Sequence, residues 1–252
     1  MANILKDSST RIKTGLILIV AMLIVGYIDS YFVMWALFGV LLMISISESK
    51  KLFQLEGDSI YVYTALLWFA AYFYPVPEDL IFIVAIGYAS QLAYKKSIDK
   101  KMFLPLLYPT ASFVFLLALY SEYGVMTLLW LLVIVAGADT GAYFVGKTIG
   151  KTKFSETSPN KTIEGVLGGV ITAGILGTIF AHENLSIVMA ILISVIVAFT
   201  SVFGDLFESY LKREANIKDS GNILPGHGGI LDRTDGYLFG AIVMLVLLRI
   251  VM

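Results

Sequence analysis

The chain has 252 residues, 58% hydrophobic and 15% charged, with a mean hydropathy of +0.84 and a formal net charge of −1. Those proportions exclude a water-soluble globular domain. With no cysteine there is no disulfide framework, thiolate metal site or thiol nucleophile, so any metal must be held by oxygen or by the two histidines.

The N-terminal region is basic (Lys6, Arg11, Lys13) and runs into a first apolar stretch at about 14–29. It has the outline of a signal peptide, but no small-residue cleavage site follows and a second apolar stretch, about 31–47, begins at once, so the segment is expected to be retained. Further apolar stretches fall at about 60–75, 79–94, 103–120, 123–146, 163–181, 186–208 and 235–251. The fold class expected is therefore all-α: a polytopic integral membrane protein of about nine transmembrane helices, forming a single membrane domain over 1–252.

The loops between these stretches alternate in charge. Those around Asp29, at YPVPED, at SEYG and at AHENLS carry no Lys or Arg. The N-terminus and the loops with Lys50 and Lys51, with Lys95, Lys96, Lys100 and Lys101, with Lys147, Lys151, Lys153 and Lys161, and with Lys212, Arg213, Lys218 and Arg233 hold 17 of the 18 basic residues. Only Arg249 falls on the other side, and the positive-inside rule then puts the N-terminus in the cytoplasm and the C-terminus outside.

Residues 1–120 read as generic N-terminal helices; the loop YKKSIDKKM is explained as a topogenic charge cluster. Residues 121–252 differ, because both long loops expected at the cytoplasmic face lie there and are rich in Gly, Lys and carboxylates. The first region reads AGADTGAYFVGKTIGKTKFSETSPNKTIEG. Gly141 to Thr148 formally match G-x-x-x-x-G-K-[ST], but a phosphate loop needs a strand before it and a helix after it, and the apolar context supplies neither. Lys147 and Lys151 remain available to phosphates as plain cations. Asp139 lies deep in an apolar run, where an ionisable group costs about 2.5–3.5 kcal/mol, either wetted near the helix end or functional. Ser158 or Thr162 could cap the seventh helix, with Glu164 favourable in its first turn. Lys161 opposes the helix dipole there, so a nearby anion is expected.

The second region reads FTSVFGDLFESYLKREANIKDSGNILPGHGGILDRTD. Asp205 and Glu208 share a helical face with Lys212 a turn on, and Asp205 sits among Phe203, Leu206 and Phe207, where solubility is no explanation. Gly226, Gly228 and Gly229 let backbone approach a ligand, and His227 between them is a candidate phosphate donor or base. Asp232 and Asp235 have the spacing of an N-cap and its third residue, so capping alone would also account for them. Acids and bases gathered at one membrane face suit a polyphosphate held through a divalent cation, since Mg²⁺ takes one or two carboxylates and completes its shell with water and phosphate oxygens. No activated protein nucleophile is evident, which favours direct transfer between two substrates.

The run from Ser209 to Asp235, with Leu211-Lys212-Arg213, Lys218-Asp219, Gly221, Leu224-Pro225, His227-Gly228-Gly229-Ile230 and Asp232-Arg233-Thr234-Asp235, resembles the signature of phosphatidate cytidylyltransferases over 27 residues. ADTGAYFVGKTIGK and SPNKTIEG resemble upstream blocks of that family, with Asn160 where a lysine is more frequent; the resemblance covers about residues 135–252. It implies transfer of a cytidylyl group from CTP to phosphatidate, giving CDP-diacylglycerol and pyrophosphate, with Mg²⁺ (a second cation left open), at the cytoplasmic face of the bacterial inner membrane. The partners expected are CTP, phosphatidate, the bilayer and a second copy in a homodimer, with no nucleic acid. Asp205, Asp232 and Asp235 are expected to hold metal. Lys161, Lys212, Arg213, Lys218 and Arg233 are expected on phosphates, Lys212 and Arg213 with a catalytic part. Asp139 and Glu164 are candidates for metal or cytosine contacts, His227 for phosphate positioning, and Asp219 and Lys147 for substrate binding. Gly165-x-x-x-Gly169 and Gly236-x-x-x-Gly240 permit close helix packing, within the chain or at a dimer seam.

Two rivals make different demands. A transporter would need paired broken helices in two related halves, whereas the chemistry-bearing residues lie in one half. A transferase acting on CDP-diacylglycerol would show a paired D-G and A-R motif, which is absent.

Overall fold

The computed structural model describes residues 2–95 and 99–252, with side chains from 13 onward. Lys96 of the basic loop and the side chains of Lys6 and Arg11 fall outside the described residues. The chain is all-α: α1 (Ala2–Ile28), α2 (Tyr31–Leu52), α3 (Ser59–Ala71), α4 (Asp79–Tyr94), α5 (Ser112–Tyr123), α6 (Val125–Ile149), α7 (Ile163–Ile179), α8 (Ile187–Glu214) and α9 (Leu231–Val251). Among the described residues there is no β-sheet, only the isolated bridges Lys153 to Thr162 and Leu224 to Gly228.

Each apolar stretch contains one α-helix, but the helices are unequal. Five helical segments, Tyr31–Leu52, Lys100–Tyr123, Val125–Ile149, Ile187–Glu214 and Leu231–Val251, are long and apolar enough to cross a membrane. Four apolar helices are shorter, at Lys13–Ile28, Ser59–Ala71, Asp79–Tyr94 and Ile163–Ile179. Prolines explain part of the difference. The 60–75 stretch stops being helical at Ala71, ahead of Pro75 and Pro77. The 103–120 stretch is broken by Pro105 and Pro109 into a 3₁₀ turn (Lys100–Phe103), a π-helical turn (Leu106–Ala111) and α5. Large apolar side chains such as Leu23, Phe73, Phe82, Ile171, Ile179 and Ile187 are exposed, as a lipid-facing surface requires.

Contacts divide the chain into two compact units. The first comprises Met1–Leu117 and Glu214–Arg233, so most of the signature segment folds with the N-terminal helices. Its centre is α2 on α3: Gly39 leaves room for Trp68, whose indole N–H donates to the Trp35 carbonyl at 3.1 Å while Trp35 returns the bond to the Trp68 carbonyl at 2.8 Å. Met34, Leu42, Ile46 and Leu67 complete that core.

The second unit comprises Ala118–Arg213 and Thr234–Met252. Trp130, Ile134, Ala173, Val197, Leu238 and Leu245 form its core, and the Trp130 indole donates to Ser194 Oγ at 3.2 Å. A Cβ at Gly169 would collide with the Ala138 carbonyl oxygen, so α6 and α7 touch backbone to backbone there. Gly169→Ala is expected to destabilise the protein by about 1–3 kcal/mol through overpacking, read as a lower midpoint of thermal unfolding in detergent. At the far ends of α5 and α9, Arg249 Nε donates to Glu122 Oε2 at 2.9 Å, pairing the basic residue that stands apart from the other seventeen.

Candidate active site

In the second unit the site-bearing side chains come from α6, α8, α9, the loop before α7 and the first turn of α7. Asp205, Glu208 and Lys212 lie along one face of α8. Glu208 is fully buried and accepts from Lys212 Nζ at 2.6 Å, which explains why α8 continues to Glu214, past the apolar stretch. Gly204 lets α9 approach closely, since a Cβ there would collide with the Asp235 carbonyl oxygen. Asp235 therefore stands near Asp205, close enough to feel its charge and those of Asp139 and Lys212. Its Oδ1 accepts from the Gly236 N–H at 2.8 Å. Tyr237, on the same helix, feels Asp139 and Asp235.

The anion expected beside Lys161 is Asp205: Nζ to Oδ2 is 2.6 Å, and Ser209 Oγ donates to Asp205 Oδ1 at 3.3 Å. Lys161 is held there by a folded-back loop. The Phe154 N–H donates to the Lys161 carbonyl at 2.9 Å, and the Ile163 N–H to the Thr152 carbonyl at 2.9 Å. Glu164 clamps the base of that loop, accepting from the Lys151 and Thr152 amides at 3.1 Å each and from Thr152 Oγ1 at 2.8 Å. Thr162 caps α7 by accepting from the Gly165 N–H at 3.2 Å. Gly141 to Thr148 lie inside α6, where their amides belong to the helix rather than to a phosphate cradle. Lys147 is exposed with its ammonium 5.4 Å from the Tyr143 ring centroid, and Arg213 is exposed near the end of α8.

In the first unit the signature segment forms a compact loop. The Leu224 N–H donates to the Gly228 carbonyl at 2.9 Å and His227 N–H to the Leu224 carbonyl at 2.8 Å, a tight turn in which Gly226 and Gly228 take φ of 76° and 86°. Arg233 Nε donates to the His227 carbonyl at 2.8 Å. Lys218, Asp219, Asn222, His227 and Arg233 surround a cavity of about 350 Å³. Four nitrogen-bearing side chains, Lys218, Asn222, His227 and Arg233, stand against the one carboxylate of Asp219 there, a lining whose chemistry suits an anion.

Asp232 has a different local role from the capping expected of it. α9 starts at Leu231, one residue earlier, and Asp232 Oδ2 instead reaches back to accept from the amides of Ser220 at 2.9 Å and Gly229 at 2.8 Å and from Ser220 Oγ at 3.0 Å. The amides that open α9 go to Glu48 of α2: Ile230 N–H at 2.9 Å and Leu231 N–H at 2.8 Å. The amides of Ser220, Gly229, Ile230 and Leu231 are thus occupied by carboxylates of the chain itself. Glu48 was missed in the sequence. Its signal was a carboxylate in the apolar run ISISES, where a charge needs a reason.

A divalent cation suits the donors present in the second unit. Asp205, Asp235 and Asp139 offer hard oxygen ligands, the type Mg²⁺ prefers. Among the described residues no group of three or more His, Asp or Glu side chains that could hold a metal ion is found.

The sequence profile of the cytidylyltransferase family matches residues 9–251. A phosphatidate cytidylyltransferase of Helicobacter pylori (strain J99) is 44% identical over 251 residues, covering 98% of this chain and 94% of the relative. One from Thermotoga maritima is 32% identical over 268 residues, covering 97% of each. One from Bacillus subtilis is 50% identical over 123 residues, 47% of this chain and 46% of the relative.

Proposed function

The chain belongs to the cytidylyltransferase family, and from that premise we propose that it transfers a cytidylyl group from CTP to phosphatidate by direct displacement. A phosphatidate oxygen attacks the α-phosphorus of CTP, the bond from that phosphorus to the β-bridging oxygen breaks, and pyrophosphate leaves. The nucleophile is already an anion at neutral pH, so the protein needs no strong base. What it must supply is cancellation of repulsion between two anions and stabilisation of the charge that builds on pyrophosphate.

The observation that carries this reading is the Lys161–Asp205 pair at 2.6 Å beside Asp235 and Lys212. Asp205 and Asp235 are the protein ligands for the cation, read as Mg²⁺, and Asp139 stands near them. When bound, the cation draws triphosphate oxygens together and neutralises their charge. Lys161 and Lys212 contribute fixed positive charge to the same phosphates, Glu208 holding Lys212 in place. Arg213 and Lys147, both exposed, add to the field that attracts the nucleotide. In the first unit, Lys218, His227 and Arg233 bind a phosphate in the cavity that Asp219 also lines. Asp232 belongs to this reading as the carboxylate that fixes the loop. Glu164 keeps Lys161 in reach through its clamp on the loop.

The active face is cytoplasmic in this reading, in the inner membrane of a bacterium, with the N-terminus inside and the four shorter apolar helices completing nine crossings. The distribution of lysines and arginines supports it. The diacyl tails stay in the bilayer and enter sideways, while the headgroup reaches the polar loops. The chain acts as a homodimer.

Labelled CTP tests the bond that breaks. Label at the α-phosphorus should pass into the lipid phase only when phosphatidate and Mg²⁺ are both present, and label at the γ-phosphorus should stay in water as pyrophosphate. Transfer of the γ-label to lipid would make the protein a kinase and overturn the reading. Lys161→Ala should lower kcat/KM for CTP by about a hundredfold, measured by the same transfer, with Lys161→Arg retaining part of the rate because the charge remains.

A further inference from the structure

Glu48 lies in α2, in the part of the chain that carries no signature residue, and is 4% exposed. Its carboxylate accepts from the Ile230 N–H, the Leu231 N–H and Ser220 Oγ, the last at 3.2 Å. Ser220 Oγ also lies 3.0 Å from Asp232 Oδ2, so the two carboxylates share its single proton. The loop is cut to fit this group: a Cβ at Gly221 or at Gly229 would collide with Glu48 Oε1. Removing a carboxylate from water is costly, and a local Ser or Asp cap would satisfy the first amide of α9 at lower cost. What the remote carboxylate adds is a fixed tie. It fastens Ser220, Ile230 and Leu231, residues on both sides of the cavity loop, to one rigid helix, 182 residues away for Ile230. The positive end of the α9 dipole, two backbone donors and a share of the Ser220 hydroxyl offset the buried charge.

We propose that Glu48 is a positioning residue for the transfer reaction: by holding the loop that carries Lys218, His227, Asp232 and Arg233, it sets the geometry in which their side chains meet phosphate. This rests on the proposed function of that loop. Glutamine has the same shape but offers one acceptor oxygen and turns an NH₂ toward an N–H donor, so Glu48→Gln should loosen the loop while leaving α2 packed.

The test uses the full chain in detergent, comparing wild type, Glu48→Gln, Glu48→Asp and, as a control on the same buried face of α2, Ser45→Ala. Glu48→Gln should lower kcat for cytidylyl transfer about 10- to 100-fold, the usual loss when a group supporting a site is removed, and speed amide hydrogen exchange across residues 218–233. Glu48→Asp, which keeps the charge, should recover part of the rate, and Ser45→Ala should match wild type. Folded Glu48→Gln with wild-type kcat and exchange would overturn the proposal, as would an equal loss in Ser45→Ala. Should Glu48→Gln not accumulate as folded protein, Glu48→Asp decides: slower turnover with faster loop exchange supports the proposal, and wild-type values of both overturn it. If wild type itself transfers no cytidylyl group, the functional reading fails, and the exchange measurement still decides whether Glu48 holds the loop.

Discussion

Asp235→Asn should lower kcat by about 10²–10³-fold, the scale on which removing one electrostatic stabiliser of a transition state is felt, while leaving the protein folded. Asparagine keeps the side-chain oxygen that accepts from the Gly236 N–H at 2.8 Å, so the local hydrogen bond survives. What disappears is an ionisable carboxyl group that feels Asp205 and Asp139. Relieving that repulsion favours the folded state, and the thermal midpoint should hold or rise. The loss therefore falls on the cation and the triphosphate it gathers. High Mg²⁺ should restore part of the rate by mass action if affinity is what was lost. Full activity at ordinary Mg²⁺ would remove Asp235 from the metal site.

Asp232→Asn should show a mixed loss. One carboxylate oxygen accepts three hydrogen bonds, from the Ser220 N–H, the Gly229 N–H and Ser220 Oγ. The amide lacks the charge that strengthens them, and bonds to a charged group are worth about 1.5–3 kcal/mol each. We expect kcat/KM to fall by about a hundredfold, as when a group is misplaced by about an ångström, together with a lower thermal midpoint and faster amide exchange in residues 218–233. The pairing separates two roles for carboxylates three residues apart: Asp235→Asn loses rate without stability, Asp232→Asn loses both. Loss of rate with unchanged stability and exchange in Asp232→Asn would show that its chemistry, not its hold on the loop, is what matters.

The parts of the fold that were legible are those the bilayer dictates. Every unpaired backbone amide is expensive in lipid, so an apolar stretch becomes a helix, and the nine stretches each contain one. Helix ends were less legible because they depend on polar contacts: α8 runs to Glu214 on the strength of Glu208 and Lys212. The anion beside Lys161 could be inferred from a charge set against a helix dipole, although nothing local identified it as Asp205. The cap of α7 was legible from spacing as Ser158 or Thr162, and it is Thr162. The start of α9 was not, since the group that satisfies its first amides comes from α2, 183 residues earlier for Leu231. A periodicity or a cap pattern reports neighbours along the chain. Glu48 acts across it, and its own segment looked like one more apolar helix.

Pyrophosphate release from the purified protein in detergent, supplied with CTP, phosphatidate and Mg²⁺, is the decisive measurement. One pyrophosphate should appear for each CDP-diacylglycerol formed, with no release when phosphatidate is omitted or Mg²⁺ is chelated. Absence of pyrophosphate with CTP and with every other nucleoside triphosphate, from protein shown to be folded, would contradict the proposed transfer.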